Sequence, residues 1–168
     1  MEAYMGLEAE PGYQANLYKI LKTRNMEAFL TLGTHDIVCR LPSFTDLNEF
    51  RKLVQSILFT TEGGRPLVEN TTTYIIIDHY SKKTEKKPTA FCFIRSGRMP
   101  SRDKFDKMVN DVFDIESVLA VSVVIGFFDL ICEVRTDNLL ALHSTINQIL
   151  STPGVSSRAT MVCMVLGN

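Results

Sequence analysis

One octapeptide pattern recurs in this chain at a fixed distance. Gly33-Thr34-His35-Asp36-Ile37-Val38-Cys39-Arg40 returns as Gly126-Phe127-Phe128-Asp129-Leu130-Ile131-Cys132-Glu133, with Gly, Asp and Cys at one separation (126−33 = 129−36 = 132−39 = 93). Two copies, each about half of the 168 residues, describe a duplicated domain and not a solenoid. Whatever the Gly-x-x-Asp turn does, the chain is built to present it twice.

The elements around the turn repeat as well. In the second half, Thr89 to Arg95 is a strand-like run, and Ser101 precedes Phe105, Met108, Val109, Val112 and Phe113, an apolar helical stripe. Val118 to Ile125 and Leu130 to Val134 form a hairpin across Gly126–Asp129. Asp137 opens a helix with the stripe Leu139, Leu142, Ile146 and Ile149; Pro153-Gly154 ends it, and Thr160 to Leu166 is a last strand.

The first half follows suit. Ala3 to Ala9 is a strand, and a helix then carries Leu17, Tyr18, Ile20 and Leu21. Met26 to Leu32 and Ile37 to Leu41 form the hairpin. Asp46 opens a helix with Leu47, Phe50, Val54 and Ile57, Gly63-Gly64 and Pro66 break it, and Thr73 to Asp78 closes the unit. The two stripes match at one separation (139−47 = 149−57 = 92).

The order βαββαβ predicts an α+β fold of two tandem ferredoxin-like units, 1–80 and 89–168, joined by a charged linker at 81–88. Val118 to Ile125 does not alternate apolar with polar, so both faces of that sheet must be covered. Helices cover one. Another sheet of the same kind is the economical cover for the other, giving sheets packed face to face as an α/β barrel, within one chain or between two. Glu27 and Thr31 make this demand weaker in the first half.

Bulk properties exclude several functions. The net charge of −1 leaves no basic field for direct binding of nucleic acid. No stretch has the length of a membrane span, and the amino terminus lacks the pattern of a signal peptide. Cys39, Cys92, Cys132 and Cys163 lie in apolar runs without C-x-x-C spacing, as expected of reduced core thiols in a cytoplasmic protein. No metal and no cofactor is expected.

The apolar strand, Gly-x-Phe-Asp-Leu, strand, amphipathic helix, Pro-Gly-Val and Thr-containing strand of 90–166 resemble the effector-binding domain of Lrp/AsnC transcription regulators. The first half resembles a degenerate copy, with Gly33, Asp36, Val68 and Thr73 kept (73−68 = 160−155). The resemblance implies a dimeric α/β barrel that binds small, amino-acid-like effectors between associated units. Family members normally begin with a helix-turn-helix, whereas here the first strand starts near Ala3, so a sensing module without its own DNA reader is expected. Carried over by position, the resemblance nominates Gly126, Phe128, Asp129, Ser157 and Thr160, and by duplication Gly33, His35, Asp36, Asn70 and Thr73.

Chemically, backbone groups at a glycine turn can approach a ligand, a carboxylate pairs with an ammonium and hydroxyls orient a carboxylate. The plainer reading keeps Gly for the turn backbone, Asp for local hydrogen bonds and Thr for strand packing. His79 and His143 read as solvated, and Arg158 as a surface cation. The leading expectation is a non-enzymatic effector-sensing module that forms homo-oligomers and works with helix-turn-helix regulators of the same family. Two alternatives stay open: a small barrel enzyme of oxygenase or isomerase type using His35, and an assembly adaptor that binds regulators and no metabolite.

Overall fold

A computed structural model of the chain describes residues 1–97, 101–156 and 160–166. It divides into two compact units, Met1–Ile76 and Ile77–Leu166. The first contains β1 (Ala3–Ala9), α1 (Gln14–Thr23), β2 (Glu27–Leu32), β3 (Ile37–Leu41), α2 (Leu47–Leu58), the short β4 (Thr61–Glu62) and β5 (Arg65–Pro66), and the start of β6 (Val68–Ser81). The second contains the end of β6, then β7 (Ala90–Ile94), α3 (Arg102–Phe113), β8 (Val118–Ile125), β9 (Leu130–Val134), α4 (Leu139–Ser151) and β10 (Met161–Val165). The fold is mixed α+β with antiparallel strands.

Within the first unit β1 lies between β3 and β6, and β2 pairs with the other edge of β3. Within the second, β7 lies between β9 and β10, and β8 pairs with β9. Both sheets therefore centre on their first and third strands. That arrangement follows from two antiparallel hairpin-and-crossover halves whose helices pack on one face.

Alternation along the strands sorts the side chains. In the first unit Ala3, Met5 and Leu7 of β1 and Cys39 of β3 join Leu17, Leu21 and Ile57 of the helices in one core. In the second, Ala90, Cys92, Ile94 and Cys132 meet Met108, Val112, Leu142 and Ile149. The opposite, helix-free face is buried as well. Tyr4, Phe29, Val38 and Tyr74 carry it in the first unit, and Phe91, Phe93, Ser122 and Ile131 in the second. The first unit's face is thus no more open than the second's, although Glu27 and Thr31 suggested otherwise; Glu27 is exposed but Thr31 is buried, its hydroxyl donating to the His35 carbonyl at 2.6 Å.

Several local expectations need correction. The strand expected over Thr73–Asp78 runs from Val68 to Ser81. Pairing of Val68 to Ile75 with β1 overrides the low strand preference of Glu69 and Asn70. Gly63 and Gly64 do more than end a helix: with φ of 57° and 82° they make the tight turn between β4 and β5. Asn138, not Asp137, caps α4, its Oδ1 accepting from the Ala141 N–H at 2.9 Å. Leu47 and Leu139 are exposed, since each is the first residue of its helix and lies ahead of the turns that face the core.

Burial dominates the cysteines. All four are buried and form no disulfide, and loss of solvent pushes the thiols of Cys39 and Cys92 up to about 12 and that of Cys132 well above its ordinary range, so these three are inert packing groups. No helix among the described residues is long and apolar enough to cross a membrane.

Candidate functional site

The two copies of the Gly-x-x-Asp turn are fastened by the same bonds. The N–H of Asp36 donates to Leu7 O (2.9 Å) and that of Asp129 to Ile94 O (3.0 Å). Their carbonyls accept from the N–H of Thr31 (2.8 Å) and Val124 (2.9 Å). Each carboxylate then reaches the end of its unit's first strand: Asp36 Oδ2 accepts from the Ala9 N–H at 2.9 Å, and Asp129 Oδ2 from the Ser96 N–H at 2.7 Å. The Ser96 hydroxyl adds a third contact to Asp129 at 2.9 Å. The recurrent Asp has a structural role, because a short side chain with an acceptor oxygen can cap a strand end from the neighbouring hairpin.

In the second unit this knot extends to the loop before β10. Ser96 bridges Val155, the Ser156 N–H donates to Arg95 O (2.9 Å), the Gly97 N–H donates to Gly154 O (2.7 Å), and the Thr160 hydroxyl donates to Ser156 O (3.1 Å). Gly126, Phe128, Asp129 and Thr160 are therefore assembled at one end of the sheet; Ser157 and Arg158 lie outside the described residues. Phe128 is buried, its ring 5.7 Å from Phe93 and 5.0 Å from Phe127. Sequence reasoning missed Arg95, whose guanidinium lies 5.1 Å over the exposed ring of Phe127. Among the described residues Arg95 makes no ion pair, and Asp129 Oδ1 accepts no hydrogen bond. Arg95 is exposed and Asp129 half-buried, so this end of the second unit carries a cation and an open carboxylate oxygen.

The first unit is different. Gly33 and Thr34 are exposed, Asp36 is half-buried, and the His35 ring is turned into the protein at 5% exposure. It lies flat over Gly6 of β1, where an added Cβ would come within 2.4–2.6 Å of ring atoms. A glycine inside an apolar strand is the signal that could have revealed this close approach. Burial holds the imidazole below its ordinary range, against the opposing fields of Glu8 and Asp36. Asn70 sits opposite Glu8, donating to its carboxylate at 3.4 Å. Thr73 is not brought to this cluster: it is opposite Met5, on the side of the sheet that the helices cover.

His79 is not a simply solvated residue, since its Nδ1 is 2.8 Å from the hydroxyl of the buried Ser122. His143 is exposed on α4, as expected.

Comparisons bear on this geometry. Residues 89–165 match the family described as the Lrp/AsnC ligand binding domain. No curated protein matches the sequence significantly. Among solved structures, the siroheme decarboxylase NirDL in complex with an iron-uroporphyrin III analogue is 6% identical with TM-score 0.65, over 98% of this chain and 70% of that one. A mutant chlorite dismutase from Candidatus Nitrospira defluvii in complex with cyanide is 10% identical with TM-score 0.62, over 99% and 90%. A putative monooxygenase from Fusobacterium nucleatum is 14% identical with TM-score 0.55, over 99% and 92%. These likenesses establish a shared fold. They also overturn the expectation of a non-enzyme, because the fold is one on which decarboxylase, dismutase and monooxygenase structures are built.

Proposed function

We propose that the chain, whose residues 89–165 match the Lrp/AsnC ligand binding domain family, binds a small amino-acid-like effector at the β8–β9 tip of its second unit. The observation that carries this is that the β8–β9 tip holds both the Arg95 guanidinium, over the Phe127 ring, and Asp129, whose Oδ2 is fastened to Ser96 while Oδ1 stays open. An α-amino acid offers the complementary pair, a carboxylate for Arg95 and an ammonium for Asp129, and Thr160 and the Gly126 backbone supply neutral polar groups. The halves act as duplicated ferredoxin-like units, 1–80 and 89–168. Effector occupancy is read out through homo-oligomers and through helix-turn-helix regulators in the cytoplasm.

A panel of amino acids in a thermal-shift assay tests the proposal. A ligand at about one hundred times its Kd adds roughly 2.7 kcal/mol of stability, a visible shift. Arg95→Ala should then weaken the bound amino acid at least about tenfold, or about 1.4 kcal/mol. Silence across the panel, or an Arg95→Ala protein that responds like the parent, would sink it.

A second reading has its own support. His35 is neutral near pH 7, seated against Gly6 and flanked by Glu8 and Asp36, the setting in which an imidazole serves as a general base. Any turnover found for the chain should fall about 100-fold or more in His35→Gln with the fold intact.

A further inference from the structure

The second unit has a cleft of about 310 Å³ beside the start of α4, lined by Thr89, Thr136, Asp137, Asn138, Leu139, Leu142 and the end of β10 from Met164 to Leu166. The first unit shows what belongs in such a place. The connection from β3 to α2 has five residues (42–46), whereas that from β9 to α4 has four (135–138). The longer connection carries Phe44, which is 2% exposed, with its ring 4.8 Å from that of Phe50. Phe50 corresponds to Leu142 (142−50 = 92) and Asp46 to Asn138 (138−46 = 92), each pair holding the same place relative to its helix start. The shorter connection has no aromatic residue, only Arg135, Thr136, Asp137 and Asn138. What the first unit fills with its own phenyl ring, the second leaves as an opening.

We infer that this cleft is a binding site for a small aromatic ammonium compound, its ring taking the place that Phe44 takes in the first unit and its ammonium meeting Asp137. The apolar floor is Leu142, Met164 and Val165, with the exposed Leu139 as a wall. The volume is at the small end of ligand cavities, which suits one ring and a short tail. Asp137 is exposed at the mouth and pairs with no described residue, so its carboxylate is available to a cation. The site is separate from the β8–β9 tip. It lies at the far end of β9, about 14 Å away along four residue steps from Leu130 to Val134.

Methyl NMR on the whole chain, titrated with phenethylamine to about 10 mM, tests this above the weakest useful affinity. The methyl signals of Leu139, Leu142 and Met164 should move, and butylamine, which lacks the ring, should move them at least tenfold less. Asp137→Asn, an exposed change, should weaken phenethylamine several-fold. Leu142→Phe, which fills the opening, should abolish the response. Unmoved methyls, equal responses to butylamine, or an undiminished response in both variants would each overturn the inference. Shifts confined to the methyls of Ile125, beside the β8–β9 turn, would overturn it too, while leaving the effector proposal standing.

Discussion

At the same point of their sheets, the two units solve one packing problem in opposite ways. In the second, Phe128 lies against Phe93, and two buried rings share the space. In the first, the matching positions are His35 and Gly6 (128−35 = 93, 93−6 = 87), so one ring lies flat on a bare strand. The backbone bonds of the two turns are otherwise the same set. The two turns thus share one frame, and the side chains on it differ: the second unit has an apolar tip with Arg95 and Asp129 beside it, and the first a buried titratable group. The lesson is that the recurrent Asp is part of the frame in both, whereas the residue before it sets what each tip can do.

The comparison breaks most readily at Gly6. A Cβ there would meet the His35 ring well inside contact distance, and the ring is buried. Gly6→Ala should cost about 3 kcal/mol, the upper part of the range for an overpacked core, read as a lower urea midpoint at unchanged slope. Combining it with His35→Ala should restore part of the loss, since the clash then disappears. If Gly6→Ala alone were neutral, the ring would not lie where it is described.

A smaller effect sharpens the claim that both aspartates are fasteners. Asp129→Ala removes two hydrogen bonds from Ser96 and should cost about 2 kcal/mol; Asp36→Ala removes one, from the Ala9 N–H, and should cost about 1 kcal/mol. Equal losses in denaturant titrations, or a larger loss at Asp36, would show that the turns are held by something else.

How much of this was legible in the sequence depends on the range of the interaction. The helix stripes, the hairpins and the N-caps at Asp46 and Ser101 are local patterns, and they appear where the spacing puts them. The full length of β6 is not local: Glu69 and Asn70 become strand only because β1 offers partners 60 residues earlier, Glu8 facing Asn70 being 62 apart. The candidate site divides along the same line. Asp36 and Asp129 are visible from the repeat, but their bonds to Ala9 and Ser96 join segments remote in the chain. Thr73 looked like the twin of Thr160 by spacing, yet its register opposite Met5 turns it to the helices. Arg95 was passed over because nothing in the run 89–95 distinguishes a strand-end cation from a solvated one until Phe127 is seen beneath it.

The smallest effect concerns the pH range in which the two units part company. Burial lowers the pKa of His35 from its ordinary 6.5, while Phe128 has nothing to titrate. The unfolded chain therefore binds a proton at this position more readily than the folded one does. The stability associated with neutral His35 is complete above about 6.5 and is lost as the pH falls from there toward the lowered value. Glu8 and Asp36, from β1 and from the turn itself, pull the other way, so the loss should be modest. Urea midpoints measured through this range should drop for the parent and drop less for His35→Phe, which copies the second unit's residue. Because the cavity over Gly6 was shaped by an imidazole, the Phe variant is compared with its own value at neutral pH, and only the slope is read. A slope equal in both proteins would mean that the ring is already solvated, and the distinction drawn between the two tips would lose its physical basis.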